Sequence, residues 1–317
     1  MSDPSKSSLK VVALAGGVGG AKLAAGLAQA IPAEDLTVVV NTGDDFEHLG
    51  LQICPDLDTV CYTLAGLANP ETGWGRQGET WNALDTVRQL GGPDWFRLGD
   101  RDLGWHLERT HRRRLGQPLS QITGAFCQAL KIGPTILPVT DDSVPTWVYT
   151  RDGPLPFQEY FVHRRCEPVV SGFRFENAET ARPAPGVVEA LAQADLAVIC
   201  PSNPWVSIDP ILAIPELLPA IQRLPVIAVS PIIAGQTVKG PAAKMFAELG
   251  IEPTAAAVAR HYGSLLRGFV LDSQDAAQAI EIETLGVRVY GTDTIMKTEP
   301  DRARLGKEVI AFARQVL

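Results

Sequence analysis

The stretch Leu14-Ala-Gly-Gly-Val-Gly-Gly-Ala-Lys22 joins an apolar, β-branched run, Leu9 to Ala15, to an alanine- and leucine-rich segment, Ala21 to Ala30. This order predicts a strand, a tight glycine turn and a helix. The amino terminus of such a helix points free N–H groups at the turn, and the helix dipole adds about half a positive charge there. The turn is therefore a candidate site for a nucleotide or a diphosphate. Its residues are Gly16, Gly17, Val18, Gly19, Gly20 and Lys22.

The glycine turn matches neither common nucleotide-binding motif in full. The pattern G-x-G-x-x-G would start at Gly17 and meet Lys22 where its last glycine belongs. A P-loop counted from Gly16 places Lys22 correctly, but it requires glycine at Ala21 and Ser or Thr at Leu23. We therefore predict nucleotide or phosphate binding without naming a cofactor. Close packing of a strand against a helix is the alternative interpretation of the glycines.

Strand-like runs recur along the chain, and most are short and apolar without strict alternation, as in strands covered on both faces. They are Leu9–Ala15, Thr37–Val40, Thr135–Val139, Thr146–Thr150, Leu196–Cys200, Val226–Val229, Gly268–Leu271 and Val287–Tyr290. Helical patterns separate several of them, at Val187–Ala194, Pro210–Leu224, Ala242–Leu249, Thr254–Tyr262 and Arg302–Val316. This alternation predicts an α/β fold with a doubly wound, mostly parallel, Rossmann-like sheet.

Residues 56–131 interrupt the alternation with helical patterns and no convincing strand. The patterns cover Asp58–Ala68, Thr80–Leu90, Asp102–Leu115 and Ser120–Leu130. We predict an inserted helical subdomain here and a Rossmann-like core formed by residues 1–55 and 132–317, which binds nucleotide and diphosphate. The stretch Asp152–Pro185 is rich in proline, arginine and aromatic residues, and we predict an irregular segment that serves as a lid or a dimer contact.

The charge balance is acidic: 28 Lys and Arg against 36 Asp and Glu give a formal net charge of −8. This balance argues against a nucleic-acid partner. The basic run Arg109–Arg114 has helical spacing and is interpreted as a solvated helix face. A homodimer is the default expectation, because symmetric dimers are the commonest assemblies.

The cysteines and the apolar segments indicate the compartment. Five cysteines without a C-x-x-C pair argue against a disulfide framework and against a structural zinc site. The first residues, Met1 to Lys10, are polar, and no apolar run reaches the length of a membrane span. We therefore expect a cytoplasmic protein with no membrane partner.

An acidic segment, Asn41-Thr-Gly-Asp-Asp45, follows the predicted strand Thr37–Val40, and Pro55-Asp-Leu-Asp-Thr59 comes soon after it. Carboxylates placed there should emerge at the carboxyl edge of the sheet, where ligands of open α/β sheets bind. Mg²⁺ commonly takes one or two carboxylates and completes its shell with water and phosphates. Turn formation and helix capping are the alternative roles for these side chains. The candidate ligands are Asp44, Asp45, Asp56 and Asp58.

Further motifs follow one another in order from the first strand to about residue 250. They are Ala15–Lys22, Asn41–Asp45, Cys54–Thr59, Gly73-Trp-Gly75, Glu79-Thr-Trp-Asn82, Leu98-Gly-Asp-Arg-Asp102, Pro118-Leu-Ser120, Leu137-Pro138, Asp141-Asp142, Pro201-Ser-Asn-Pro204, Ser207-Ile208 and Val229–Gly235. Each is weak alone, but the ordered set closely resembles the 2-phospho-L-lactate transferase family of coenzyme F420 biosynthesis. Val18-Gly-Gly-Ala21 stands where archaeal members tend to carry Thr-Gly-Thr-Pro, so the chain looks more like the bacterial branch.

The resemblance implies a Mg²⁺-dependent transferase. It would move a phospho-carboxylate from a guanosine-diphosphate-activated donor to the ribityl hydroxyl of Fo (7,8-didemethyl-8-hydroxy-5-deazariboflavin) and release GMP. The acid of the donor stays open among 2-phospho-L-lactate, phosphoenolpyruvate and similar three-carbon acids. An alcohol that attacks a diphosphate in line is accelerated mainly by positioning and electrostatics, which a glycine cradle and a bound Mg²⁺ would supply.

The same resemblance assigns individual residues. Asp58 and Arg97 match positions that bind the deazaflavin acceptor, and the helical subdomain contributes to that site. Asp58 has three open roles, as acceptor ligand, Mg²⁺ ligand or general base. Asp44 is the other catalytic residue and the first choice for a second Mg²⁺ ligand, with Asp45 close behind.

Polar side chains after two later strands should reach the same edge of the sheet and contact the guanosine or its phosphates. These are Ser202, Asn203, Ser207 and Ser230. An ordinary Pro-Ser-Asn-Pro turn is the alternative for the first of these segments. Trp74 and Trp81 flank a glycine-rich turn and are candidates to stack on the tricyclic ring, although tryptophan more often packs in a core.

Two other classes of function are weighed against the transferase. A nucleotide-binding regulatory protein of the same fold would bind nucleotide without turnover and would have no affinity for a deazaflavin. A nicotinamide-dependent oxidoreductase is disfavoured by the incomplete glycine motif. It is also disfavoured by Asn41, which stands where an acidic residue should end the second strand.

Overall fold

A computed structural model describes residues 9–317, so most of the polar terminus discussed above lies outside the described residues. Its strands are β1 (Val11–Ala15), β2 (Leu36–Val40), β3 (Phe46–His48), β4 (Leu51–Ile53), β5 (Thr135–Pro138), β6 (Thr146–Thr150), β7 (Gly153–Pro156), β8 (Val170–Phe175), β9 (Leu196–Ile199), β10 (Val226–Val229), β11 (Ile232–Ile233), β12 (Gln236–Thr237), β13 (Gly268–Asp272) and β14 (Arg288–Thr292). Its α-helices are α1 (Gly17–Leu27), α2 (Pro55–Leu64), α3 (Asn82–Gln89), α4 (Asp100–Arg114), α5 (Leu119–Ala129), α6 (Val187–Gln193), α7 (Asp209–Leu212), α8 (Leu217–Ile221), α9 (Ala242–Glu248), α10 (Ala255–Tyr262), α11 (Ala279–Glu283) and α12 (Glu299–Val316).

The central sheet has seven strands in the order β14-β13-β10-β9-β1-β2-β5, and every neighbouring pair is parallel. The predicted α/β class with a mostly parallel sheet is therefore confirmed. Successive residues of β1 face different layers. Val11 and Ala13 pack with helices α1, α2 and α12, while Val12 and Leu14 pack with helices of the opposite face. This double coverage explains why the strands are apolar without alternation.

The strand order reverses at β1. The chain continues from β1 to β2 and β5 on one side of the sheet, and it later adds β9, β10, β13 and β14 on the other side. The connections that leave the carboxyl ends of β1 and β9 therefore run in opposite directions and open a crevice between them. The glycine turn follows β1 and the Pro201-Ser-Asn-Pro204 segment follows β9, so both border this crevice.

Two predictions about strands are wrong. Thr146–Thr150 is a strand, but it pairs antiparallel with β7 and β8 in a separate three-stranded sheet. The stretch Asp152–Pro185, predicted to be irregular, supplies both of those partners. Antiparallel neighbours can follow each other through short turns, so no crossover helix marks them in the sequence. Whether this sheet serves as a lid or a dimer contact stays a prediction.

The predicted helix Pro210–Leu224 is divided into α7 and α8. Pro215 lies between them, and proline removes a helical N–H donor and clashes with the preceding turn. The four helices predicted in residues 56–131 are present as α2 to α5. However, α2 packs on α1, and α5 packs beside β5, while α3 and α4 pack on each other. The division into a core and an inserted subdomain stays a prediction.

Among residues 9–317, Cys54, Cys61, Cys127 and Cys200 are buried, and all five cysteines are free thiols. In the same part of the chain, no helix combines the length and the apolar character that a membrane crossing requires.

Candidate active site

The ends of β1 and β9 meet through Gly16 and Ser202. The Gly16 N–H donates to Ser202 Oγ at 3.2 Å, and the Ser202 hydroxyl donates to the Gly16 carbonyl at 2.8 Å. A Cβ added to Gly16 would lie 2.6 Å from the Ser207 Cβ and 2.6 Å from Asp56 Oδ2. The structure thus brings three predicted site residues together, and the close approach requires glycine at position 16.

A protein carboxylate occupies the start of helix α1. Gly17 has a φ of +64°, and its N–H donates to Asp56 Oδ1 at 2.7 Å. Asp56 and Ser202 therefore take the first two N–H groups of this amino terminus. The N–H groups of Val18 and Gly19 come next in the first turn, where the helix itself offers no acceptor. A ligand anion would therefore meet Val18 and Gly19 first.

Asn41, at the end of β2, joins the two carboxylates of the site. Its Nδ2 lies 3.0 Å from Asp44 Oδ1 and 2.9 Å from Asp56 Oδ2, and it also contacts the Val206 carbonyl at 3.1 Å. Asn41 Oδ1 accepts a hydrogen bond from the Gly43 N–H at 2.8 Å. The amide at this position thus holds the acidic turn against the glycine turn, which an acidic side chain could not do.

Burial of the two carboxylates controls their charge. Burial raises the pKa of Asp44 well above its usual range, and the neighbouring Asp56 raises it further. Burial also raises the pKa of Asp56 to about 6, against the opposing hydrogen bonds from Asn41 and Gly17. A bound proton or cation would relieve the repulsion between two desolvated carboxylates this close together.

Asp45, the next residue of the same turn, offers an unused oxygen. Within residues 9–317, Asp45 Oδ1 and Thr42 Oγ1 are buried and have no hydrogen-bond partner. Both residues line a cavity of about 50 Å³, which Asp141, Asp142 and the cation Arg113 also border. Burial raises the pKa of Asp45 well above its usual range. These oxygens fit a hydrated cation, since hard cations prefer carboxylate, hydroxyl and water ligands.

The described residues contain no group of three or more His, Cys, Asp or Glu side chains arranged to hold a metal ion. A site with one or two carboxylates nevertheless suits Mg²⁺, which retains water and recruits substrate phosphates.

Asp58 faces helix α4. Its Oδ1 accepts a hydrogen bond from Trp105 Nε1 at 2.7 Å and forms an ion pair with Arg109 Nη2, while its Oδ2 lies 3.1 Å from Arg109 Nη1. Asp58 is 5% exposed and Arg109 is 3% exposed. Burial alone would lower the pKa of Arg109, but Asp58 holds it above the usual value. Arg109 is therefore part of a buried pair and not of a solvated face, contrary to the prediction.

His106 completes this cluster. Its Nδ1 lies 3.2 Å from Arg109 Nη1, and because a guanidinium only donates, Nδ1 must accept. The proton of the ring then lies on Nε2, which is 3.4 Å from Asp102 Oδ1. Asp102 also accepts a hydrogen bond from the Tyr62 hydroxyl at 2.6 Å. Asp58 is thus held by neighbours whose own orientation is fixed.

Arg97 is exposed, and its guanidinium lies over the Trp81 ring, 4.3 Å from the ring centroid. One face of Trp81 is therefore occupied by a cation, as in other cation–π pairs. Trp74 is 47% exposed. Within residues 9–317, Arg97 makes no ion pair or side-chain hydrogen bond, so its donors are free for a ligand.

Besides Ser202, three predicted nucleotide-binding side chains have partners within the protein. Lys22 Nζ donates to the Met296 carbonyl at 2.8 Å. Asn203 Oδ1 accepts from the Trp205 N–H at 3.1 Å, so Asn203 caps the turn that follows β9. Ser230 Oγ donates to the Ile232 carbonyl at 2.9 Å. Gly19 and Gly20 pack against Pro201 and Ser202.

Comparison with known proteins places these observations in a family. The family model described as 2-phospho-L-lactate transferase CofD matches residues 11–311. The chain is 45% identical to a phosphoenolpyruvate transferase of Streptomyces griseus subsp. griseus, over 97% of this chain and 99% of the relative. It is 42% identical to a phosphoenolpyruvate transferase of Thermobifida fusca, over 90% of this chain and 93% of the relative.

A crystal structure supports the fold alone. Protein BH3568 from Bacillus halodurans superimposes with a TM-score of 0.64 at 17% identity, over 96% of this chain and 100% of that chain. The family model and the curated relatives both cover nearly the whole chain. The protein therefore belongs to the 2-phospho-L-lactate transferase CofD family.

Proposed function

We propose that the protein transfers a phospho-carboxylate unit from a GDP-linked donor to the ribityl hydroxyl of Fo and releases GMP, with Mg²⁺ bound. In this reaction the acceptor oxygen forms a bond to the phosphorus that carries the acid. The bridging P–O bond breaks, and GMP leaves with the electron pair. The hydroxyl proton passes to a base, for which Asp58 stays a candidate.

The feature that best supports this reaction is that a potential anion site and a potential cation site lie next to each other. The N–H groups of Val18 and Gly19 lie in the first turn of α1, where a ligand anion would bind, and the buried carboxylates of Asp44 and Asp56 lie beside this turn. An anion at the first and a cation at the second are what an in-line attack on a diphosphate requires.

Asp44 is the first Mg²⁺ ligand in this proposal, and the unpartnered Oδ1 of Asp45 is a second oxygen donor on the same turn. Asp58, the other ligand expected from the sequence, has both oxygens in contact with Arg109 or Trp105, so Mg²⁺ would compete with these partners for it. When bound, Mg²⁺ would neutralise the charge of the diphosphate oxygens.

The names of the relatives favour one donor acid. Relatives at 45% and 44% identity are called phosphoenolpyruvate transferases, so we propose an enolpyruvyl group in place of a lactyl group. The two acids differ little in size and charge. A preference would therefore depend on the shape of the pocket around the three-carbon unit.

Fluorescence titration with Fo tests the acceptor. The wild type should bind Fo, and Arg97→Met should bind it at least 10-fold more weakly, because the free guanidinium and its cation–π contact with Trp81 are lost together. Arg88→Met is the matched control, since Arg88 is 52% exposed and is paired only with surface carboxylates. GMP release after addition of Mg²⁺ and either the enolpyruvyl or the lactyl GDP donor would measure turnover and donor choice.

Nucleotide binding without Fo binding and without GMP release would contradict the transferase. It would favour the alternative, a nucleotide-binding regulatory protein of the same fold.

A further inference from the structure

Two buried thiols on different helices contact each other. Cys61 lies on α2 and Cys127 on α5, and their Sγ atoms are 3.9 Å apart, close enough for one thiol to donate a weak hydrogen bond to the other. Cys61 is 2% exposed and Cys127 is 7% exposed. Among residues 9–317, no other two cysteines are in such contact. This pair therefore differs from the remaining cysteines in having a sulfur atom as its neighbour.

The contact gives the two sulfur atoms different reactivities. The hydrogen bond from Cys61 lowers the pKa of Cys127, although burial opposes this effect. The same hydrogen bond and burial raise the pKa of Cys61. A thiolate reacts with an oxidant faster than a thiol does, and access to solvent also favours the reaction. Cys127 is therefore the sulfur that reacts first, and Cys61 lies next to it as the second thiol of the pair.

We propose that Cys61 and Cys127 form a modification site, at which hydrogen peroxide converts the two thiols into a reversible disulfide. The Cys127 thiolate attacks one peroxide oxygen, the O–O bond breaks, and a sulfenic acid and a hydroxide form. The Cys61 sulfur then attacks the sulfenic sulfur, the S–O bond breaks, and the S–S bond forms. The two thiol protons combine with the two hydroxides. The sulfur atoms thus lose two electrons to the peroxide, which leaves as two water molecules.

Formation of the disulfide would draw α2 and α5 together. The S–S bond is about 2.05 Å long, so the two sulfur atoms must approach each other by about 2 Å from their separation of 3.9 Å. Rotation of the two side chains and displacement of the two helices would share this approach. Because the interior is close-packed, a displacement of either helix is transmitted to the side chains that pack around the pair.

Trp105 of α4 connects the pair to Asp58. The centroid of its ring lies 5.2 Å from that of Tyr62 and 4.3 Å from that of Phe126, and these two residues are the chain neighbours of the cysteines. Trp105 Nε1 also donates to Asp58 Oδ1 at 2.7 Å. A movement of α2 against α5 therefore acts on a hydrogen bond that holds the candidate acceptor residue. Only this effect on Asp58 rests on the proposed function; the disulfide does not.

Mass spectrometry of the intact protein, before and after treatment with hydrogen peroxide, tests the disulfide. The wild type should lose about 2 Da, the mass of two hydrogen atoms, and dithiothreitol should restore the original mass. Three of its five thiols should still react with an alkylating reagent after denaturation. Cys61→Ser and Cys127→Ser should not show the loss. Cys166→Ser is the matched control and should show it unchanged, because Cys166 is less buried and has no sulfur neighbour.

Fo-dependent GMP release, measured on the same samples, tests the effect on Asp58. Oxidation should slow release by the wild type by about 10-fold or more, because small displacements of positioning groups cost this much, and reduction should restore it. Release by Cys127→Ser, and by Cys127→Ala as a second variant, should not respond to the peroxide. Urea midpoints for each variant would verify folding.

An unchanged mass of the peroxide-treated wild type, or a mass increased by added oxygen, would overturn the inference. A loss of about 2 Da that persisted in Cys127→Ser would also overturn it, because the disulfide would then join other cysteines. A disulfide between Cys61 and Cys127 without a change in GMP release would support the modification site and overturn only its effect on Asp58. No GMP release by the reduced wild type would contradict the proposed function, while the loss of mass would still support the site.

Discussion

Asp58 and Arg109 form a buried ion pair across 51 positions of the chain, with Asp58 Oδ2 lying 3.1 Å from Arg109 Nη1. The pair joins α4 to the first turn of α2, which also carries Asp56, the acceptor of the Gly17 N–H. A charged contact beside the candidate active site therefore helps to hold α4 against α2.

Removing Arg109 should be strongly destabilising. Arg109→Met would leave the Asp58 carboxylate buried without its partner, and we expect a loss of about 3–5 kcal/mol in the free energy of unfolding. The double variant Asp58→Asn/Arg109→Met should recover part of that loss. Urea unfolding followed by circular dichroism measures both. Arg112→Met is the control, because its pair with Glu108 is partly exposed and should contribute less than about 1 kcal/mol. Equal losses for Arg109→Met and Arg112→Met would contradict a special role for the buried pair.

Gly16→Ala should abolish nucleotide binding. The added methyl group would meet Asp56 Oδ2 and the Ser207 Cβ, both 2.6 Å away, so the ends of β1 and β9 would have to separate. Gly104→Ala, in an open position of α4 with nothing within 4 Å, should instead raise the free energy of unfolding by about 0.5–1 kcal/mol. GDP titration and thermal unfolding of both variants test this contrast. An intact GDP affinity in Gly16→Ala would show that the crevice adapts.

Asp56 should make the folded protein less stable as the pH rises from about 4 to about 6. Its pKa is raised to about 6 by burial, so the unfolded chain releases this proton first and the folded chain retains it. The free energy of unfolding of the wild type, minus that of Asp56→Asn, should therefore decrease over this pH window by an amount on the order of 2–3 kcal/mol. Urea unfolding at several pH values measures it.

Asp100→Asn provides the comparison for this pH dependence. The Thr80 hydroxyl and other hydrogen bonds lower the pKa of Asp100 to about 2, so its contribution is lost only as the pH falls below about 4. Between pH 5 and 7 the free energy of unfolding of Asp100→Asn should differ from that of the wild type by a constant amount. If the difference in free energy of unfolding between the wild type and Asp56→Asn also did not change with pH, the pKa of Asp56 would not be raised in the folded protein.

Divalent cation affinity should decrease as the pH falls below neutrality. Burial and Asp56 raise the pKa of Asp44, so a proton competes with the metal for this carboxylate. Electron paramagnetic resonance with Mn²⁺ in place of Mg²⁺ measures the affinity, and Asp44→Asn should weaken it at least 10-fold. Asp152→Asn, an exposed position in a β-turn, should change nothing. Removal of the metal with EDTA should stop GMP release and added Mg²⁺ should restore it; an Asp44→Asn variant with unchanged Mn²⁺ affinity would exclude Asp44 as a ligand.

The parallel sheet, and the contact between Gly16 and Ser202, could be predicted from the sequence. Strand ends of a parallel sheet share an edge, so a polar residue after an apolar run can be assigned to that edge. The partners of Thr146–Thr150 could not be assigned in this way, because the antiparallel pairing depends on β8, which lies in a stretch without a clear pattern.

The buried position of Arg109 was beyond sequence reasoning. Arg109 stands at the start of a basic run that resembles a solvated face, and only the packing of α4 turns it towards Asp58. One signal was available: Trp105 and Arg109 are four residues apart, on one helix face, and both contact Asp58.

The hydrogen bond between Gly16 and Ser202 joins residues 186 positions apart. The order of synthesis therefore determines when this part of the site can form. A chain leaving the ribosome presents its glycine turn early, but the serine that fixes this turn is synthesised only after β9. Domains acquire their structure as units, and contacts so distant form late. Small-molecule ligands of this crevice would therefore recognise only molecules whose synthesis is well advanced, and could be used to separate finished chains from arrested ones.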